Sequence, residues 1–199
     1  MIDNIKEIWI QMWPTILLLT VVCFSMRITY LVKNKEHLVL YKELISYFFI
    51  IYILCLFYVV TFQDVSWSTS NFIPFKEILR YNLGSKLFYK NVLGNMVMFV
   101  PFGFFASYFL KLRHIHSISI LSLLTSITIE LTQLFIGRVF DIDDILLNLI
   151  GGIVGFIIYV LIHNIRIKLP EFLKKDIVYN IIMMLFLIGI FIVVKLVIW

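Results

Sequence analysis

Long apolar stretches alternate with short polar ones along this chain. Six stretches, residues 8–32, 44–62, 92–110, 115–136, 145–165 and 177–199, are predominantly apolar. Each is near the ~20 residues that carry a helix across the hydrocarbon of a bilayer. Strands that span membranes are about half as long and alternate polar with apolar residues. Helices also satisfy every backbone polar group within their own span. The pattern therefore predicts an all-α fold, a polytopic transmembrane helical bundle of six spans. The one long loop, residues 63–91, has its own pattern. Phe75, Ile78, Leu79 and Leu83 recur at helical spacing with Lys76, Glu77 and Arg80 between them. Pro74 suits the first turn of a helix. This predicts an amphipathic helix over residues 74–89 lying in the outer interface, with Trp67 as an interfacial anchor.

Composition strengthens the membrane reading. The 199 residues are 62% hydrophobic with a mean hydropathy of +1.01, against about 45–50% apolar in soluble domains. The first span is not read as a cleaved signal peptide: its apolar run is too long and no small-residue cleavage site follows. Cys23 and Cys55 fall in different spans and read as buried free thiols rather than a disulfide scaffold.

Charge placement predicts orientation. The loops after spans one, three and five carry nine cations: Lys33, Lys35, Lys42, Lys111, Arg113, Arg166, Lys168, Lys174 and Lys175. The other face carries six: Lys6, Lys76, Arg80, Lys86, Lys90 and Arg138. The positive-inside rule then puts both termini outside the cell membrane, with the 63–91 loop and the 137–144 turn facing outward too. The net charge of +5 is thus a topology signal. Its residues are scattered over loops and form no stripe for nucleic acid. Arg27 and Lys195 lie within spans but near enough to an end to snorkel.

Candidate chemistry is concentrated between residues 130 and 155. Ionisable groups in or beside hydrocarbon are costly and tend to be functional. Ser119, Ser122, Ser126, Glu130 and Gln133 are spaced to share one face of span four. Glu130 lies roughly 9 Å below the outer end of that span. It needs a partner there, and Arg138 is the nearest cation in sequence on the same side. Asp141, Asp143 and Asp144 follow in the turn. Asn148 lies one turn below Asp144, within reach of Glu130 or Gln133. Asn91 and Asn95, four apart at the start of span three, are expected to share a face and join the same cluster. Glu130, Asp141 and Asp144 offer oxygen ligands, but their spacing matches no calcium-loop pattern, and no metal is expected. Gly151 and Gly155 form a small-xxx-small pattern for close helix approach, and Pro101 with Gly103 is expected to kink span three. All four histidines, His37, His114, His116 and His163, fall near the inner face, which disfavours a Ser–His hydrolase on the outer side. No Walker or Rossmann glycine pattern marks a nucleotide cofactor, and no cofactor is expected.

Four motifs occur in order. They are Asn71-Phe-Ile-Pro74-Phe75; Asn91-Val-Leu-Gly94-Asn95 running on to Pro101-Phe-Gly103; Glu130-Leu-Thr-Gln133; and Arg138-Val-Phe-Asp141-Ile-Asp-Asp144 running on to Asn148, Gly151 and Gly152. Together they resemble the VanZ-like family of bacterial membrane proteins, over roughly residues 50–165. The resemblance implies a membrane core over residues 44–165. It leaves residues 1–43 as an additional N-terminal helix with its inner loop, and residues 166–199 as an inner loop with a final helix. It also implies a part in resistance to the glycopeptide teicoplanin. The expected site is an outward-facing pocket of Glu130, Gln133, Arg138, Asp141, Asp144, Asn148, Asn91, Asn95 and Asn71. Gly94, Pro101, Gly103, Gly151, Gly152, Gly155 and Pro74 would shape it. Its partner would be a phospholipid, a lipid-linked wall precursor or the lipoglycopeptide itself. Two other readings stay open: a membrane enzyme with Glu130 or Asp144 as general base, and a small transporter with Glu130 as proton carrier. The sequence leaves the oligomeric state open.

Overall fold

The structure, a computed structural model, describes residues 2–62, 70–82 and 84–198, and their side chains except at 2–9, 62, 90, 193–194 and 196–198. Trp67 and Leu83 lie outside the described residues. The chain is all-α: α1 (Ile2–Asn34), α2 (Leu40–Phe62), α3 (Lys76–Arg80), α4 (Lys86–Phe88), a π turn (Tyr89–Leu93), α5 (Gly94–Leu110), α6 (Ile115–Phe135), α7 (Ile142–Lys168), a 3-10 turn (Glu171–Lys174) and α8 (Asp176–Ile198). Among the described residues there is no strand, only an isolated parallel bridge between Asn71 and Asp141.

Among the described residues, five helical stretches are long and apolar enough to cross a membrane: Ile10–Asn34, Leu40–Thr61, Lys86–Leu110, Ile115–Phe135 and Ile142–Lys168. The expected sixth span corresponds to α8, whose described apolar stretch, Asp176–Ile192, is shorter. The protein is a multi-pass membrane protein.

The expected single helix over residues 74–89 is instead two short pieces. α3 ends at Arg80, and extended backbone at Tyr81 leads to Gly84 at φ 87°. Ser85 then starts α4, its Oγ accepting from Phe88 N at 3.1 Å. A left-handed glycine and a capping serine both interrupt a helix, and they outweigh the apolar spacing. The third span starts earlier than its apolar run suggested, because the π turn joins α4 to α5 without a break.

Two compact units divide the chain: residues 1–55 with 168–199, and residues 56–167. In the first, α2 begins against α8. Tyr41 N donates to Asn180 Oδ1 at 3.0 Å, Tyr41 OH donates to Asp176 Oδ1 at 3.2 Å, and the Tyr41 and Tyr179 rings lie 5.2 Å apart. α1 and α2 are joined by Arg27, whose Nε and Nη2 donate to Glu43 Oε2 and Oε1 at 2.8 and 2.7 Å. Arg27 was expected to snorkel. Its guanidinium is ion-paired with Glu43 on the next helix.

In the second unit α5, α6 and α7 pack on one another. Ala106, Ile118 and Phe156, one from each helix, form a buried cluster. Glycines bring α5 and α7 together. A Cβ added at Gly103 would lie 2.0 Å from Gly152 O, one at Gly151 would lie 2.1 Å from Met96 O, and one at Gly155 would lie 2.1 Å from Val100 O. On the other side of α7, a Cβ at Gly152 would lie 2.0 Å from Ser122 Oγ on α6. Pro101 lies inside the continuous helix α5. Gly94 makes no such close approach; its nearest neighbour would be Tyr89 O at 3.7 Å.

Candidate functional site

The site is assembled at the junction of α6 and α7. α6 ends in a Schellman motif: Gly137, at φ 83°, donates to Leu134 O at 3.2 Å, and Arg138 N donates to Gln133 O at 2.8 Å. The left-handed conformation needed there is cheap only for glycine or asparagine. The chain turns sharply, and residues 138–141 fold back beside the last turns of α6. Glu130, only 2% exposed, then accepts the Asp141 backbone N–H on Oε2 at 2.9 Å. A buried carboxylate on α6 thus holds the entry to α7.

Asp141 passes the connection on. Its Oδ1 accepts from Asp143 N at 2.9 Å and from Asn71 Nδ2 at 2.9 Å. Asn71 is also bonded through its backbone, its N donating to Phe140 O at 2.8 Å and its O accepting from Ile142 N at 3.0 Å. Phe72 stacks on Phe140 with centroids 5.1 Å apart. Burial pushes the Asp141 carboxyl above the usual carboxylate range. The Asn71 amide and the Asp143 N–H oppose that rise, while the charges on Asp143 and Glu77 add to it.

Asp143 completes the tie. Its carboxylate, on a residue 1% exposed, accepts from three backbone N–H groups: Phe75 (2.5 Å), Glu77 (2.7 Å) and Ile78 (3.1 Å). It therefore caps α3 from another helix. Sequence reasoning did not place Asp143 among the site residues. One sequence signal was available: Phe75, the residue before α3, offers no side-chain acceptor; in the structure it is left-handed at φ 66°. The orphan N–H groups of that helix start needed an acceptor from elsewhere. Pro74 lies in the turn just before, consistent with a helix start.

The two asparagines of the third span part company. Asn95 Nδ2 donates to Asp144 Oδ1, whereas Asn91 Nδ2 donates to Tyr81 OH at 2.8 Å. The expectation that both face the carboxylates assumed 3.6 residues per turn. The π turn over Tyr89–Leu93, closed by the Gly94 N–H on Tyr89 O, inserts an extra residue and rotates Asn91 away. π turns of this kind are frequent at functional sites.

Two further expectations are corrected. Asn148, 3% exposed, does not reach Glu130 or Gln133; its Nδ2 donates to Ser126 Oγ at 2.9 Å, one helical turn deeper. Arg138 is not in an ion pair among the described residues. Its Nη1 donates to Val59 O at 3.4 Å and to Val60 O, carbonyls near the end of α2. Those carbonyls lie in the last turn of α2, where the helix dipole favours a cationic donor. Glu130 instead has the backbone donor that the turn supplies. Gln133 contributes its carbonyl to the turn and keeps a half-buried side chain. Among the described residues no three His, Cys, Asp or Glu groups converge as a metal cage.

All of these residues, from Val59 to Asn148, fall within a match to the VanZ/LLP1 family that runs over residues 49–163, more than half of the chain. The chain belongs to this family. α1 and α8 lie outside the VanZ/LLP1 segment. No curated protein and no solved structure matches the chain. Within the VanZ/LLP1 segment, the motif over residues 138–152 is hydrogen-bonded to a residue of each of the other three.

Proposed function

We propose that this VanZ/LLP1-family protein recognises the polar head group of an envelope amphiphile and thereby lowers susceptibility to teicoplanin-type lipoglycopeptides. Arg138 carries the reading. A guanidinium has five N–H donors in a fixed fork. Among the described residues only Nη1 of Arg138 is engaged, by the Val59 and Val60 carbonyls. Nε and Nη2 are then the donors for a phosphate or carboxylate, the anions a planar fork matches best. Glu130, Asp141 and Asp143 act as supports: each accepts backbone N–H groups that hold the turn and the 71–80 segment. Phe72, Ile73, Phe75 and Leu79 on that segment are exposed, and they suit the acyl part of an amphiphile. The bound molecule is a phospholipid, a lipid-linked wall precursor or the drug itself.

Expression in a susceptible bacterium tests the proposal. Wild type raises the teicoplanin concentration needed to stop growth. Arg138→Ala abolishes the effect while the protein still accumulates, and the lipid that co-purifies with wild type is lost from the variant. Full protection by Arg138→Ala overturns the reading. The site would face outward, with both termini outside. A cysteine at Ser70 then labels with an impermeant thiol reagent in intact cells and one at Asn34 does not; the reverse pattern puts the site on the cytoplasmic side.

A second reading rests on the burial of Glu130. An intramembrane carboxylate with a backbone donor and no ion-pair partner among the described residues suits a proton carrier. Proton-coupled flux in liposomes that is lost in Glu130→Gln would favour a transporter over a head-group binder.

A further inference from the structure

A groove in the first unit shares no residue with the network. It runs between α1 and the first turns of α2, with a volume of about 810 Å³. Cys23, Phe24, Ile28 and Leu31 line it from α1, and Leu44 and Ile50 from α2. The volume is in the range of small-molecule sites, about 300–1,000 Å³. At one end the Thr20 and Tyr47 hydroxyls are hydrogen-bonded to each other. At the other end Leu38 stands in the turn that joins the helices. The α1 lining runs from Thr20 to Leu31. That is about 16 Å at 1.5 Å per residue, or half of the ~30 Å hydrocarbon core. The groove is therefore one leaflet deep.

Its charge sits near the turn. Arg27 and Glu43 are satisfied by each other. Lys42 adds an ammonium on a half-exposed side chain, 3.7 Å from Asp176. Lys33 and Lys35 are exposed at the end of α1 and in the turn, against Glu36. At this end of the first unit four cations, Arg27, Lys33, Lys35 and Lys42, thus stand against three carboxylates, Glu36, Glu43 and Asp176, a net charge of +1 where a lipid head group would lie.

We propose that this groove holds one acyl chain of an anionic phospholipid, with its phosphate at Lys42 and the basic turn. The apolar lining suits the chain, the depth suits a lipid of one leaflet, and the cationic rim suits the head group. The proposal is independent of the head-group reading above, since it uses neither Arg138 nor the carboxylate network.

The full-length protein, in nanodiscs of phosphatidylcholine with a minor fraction of phosphatidylglycerol of the same acyl chains, is released and analysed by native mass spectrometry. Wild type retains phosphatidylglycerol in preference. Lys42→Gln lowers the ratio of the two retained lipids about fivefold. Arg113→Gln, which removes an exposed cation outside the groove, leaves the ratio unchanged. Cys23→Trp fills the groove and loses retained lipid of both kinds, with helix content and melting temperature reporting its fold. Equal retention of the two lipids by wild type overturns the proposal. So does an equal loss in Lys42→Gln and Arg113→Gln, because either result means annular lipid only. If Cys23→Trp fails to fold, the comparison of the two charge variants decides.

Discussion

The α5–α7 seam and the α1–α2 hairpin join helices in opposite ways. At the seam, Gly103, Gly151 and Gly155 let backbone meet backbone, with added Cβ atoms falling within 2.0–2.1 Å of carbonyl oxygens on the facing helix. At the hairpin, long side chains span the gap: Arg27 to Glu43 and Thr20 to Tyr47. The seam has no room for a ligand, whereas the hairpin leaves a groove of about 810 Å³. Lipid tails are as apolar as leucine, so apolar burial does little to drive helices together in a membrane. Close packing and polar bonds do it instead. The seam uses the first for rigidity beside the polar network. The hairpin uses the second and leaves a groove between its helices.

The largest expected effect comes from breaking the seam. Gly151→Leu would force its side chain against the Met96 carbonyl on α5 and should cost about 3 kcal/mol, seen as loss of folded protein in detergent. Gly189→Leu on α8 is the matched control, since nothing lies within 4 Å of a Cβ there; it should accumulate normally. Equal losses would mean that glycine content, not close approach, governs the seam.

Next is the tie at Asp143. Asp143→Ala leaves three backbone N–H groups of the 75–78 segment without their acceptor. At about 1–3 kcal/mol for each unsatisfied group, the total should be about 3 kcal/mol or more. Amide hydrogen exchange in residues 71–80 should rise while exchange in α5 stays slow. Unchanged exchange in that segment would show that its apolar contacts hold it alone.

The hairpin should respond more weakly. Arg27→Gln or Glu43→Gln alone should cost about 0.6–1.7 kcal/mol, the scale of single interhelical polar bonds in membranes. The double variant should recover part of it, read from thermal unfolding. Additive losses would mean the two side chains act separately.

The smallest effect sharpens the role of Asp141. Its carboxyl is held above the usual carboxylate range, chiefly by burial. The folded state therefore holds this proton more readily than the unfolded chain does. Its contribution to stability is fully present below the ordinary carboxylate pKa and is lost as pH rises through the raised folded value. Asp141→Asn keeps an acceptor for Asn71 and for Asp143 N–H and removes the charge beside Asp143 and Glu77. It should change stability by about 0.5 kcal/mol at most at low pH, and gain on wild type as pH rises. A melting-temperature difference independent of pH would sink this assignment.

How far the sequence could be read differs between fold and site. The all-α multi-pass architecture was legible, because stretches of ~20 apolar residues have few alternatives. The serine and glutamate face of α6 was legible too: Ser122, Ser126 and Glu130 are all buried. The partners were not. Asn91, Asn148 and Arg138 each bond somewhere other than their sequence position suggested, and Asp143 was passed over.

By itself, then, the sequence determined what must be buried, what must cross the membrane, and which polar residues need partners there. Apolar length and helical periodicity are local properties, carried by neighbours along the chain. Only the tertiary structure decided who the partners are. A π turn of five residues rotated Asn91 toward Tyr81, a Schellman turn brought the Asp141 N–H to Glu130, and an uncapped helix start drew in Asp143 from α7. Each depends on a rotation or a meeting of segments up to about seventy residues apart, and a hydrogen bond is lost with an error of an ångström or so.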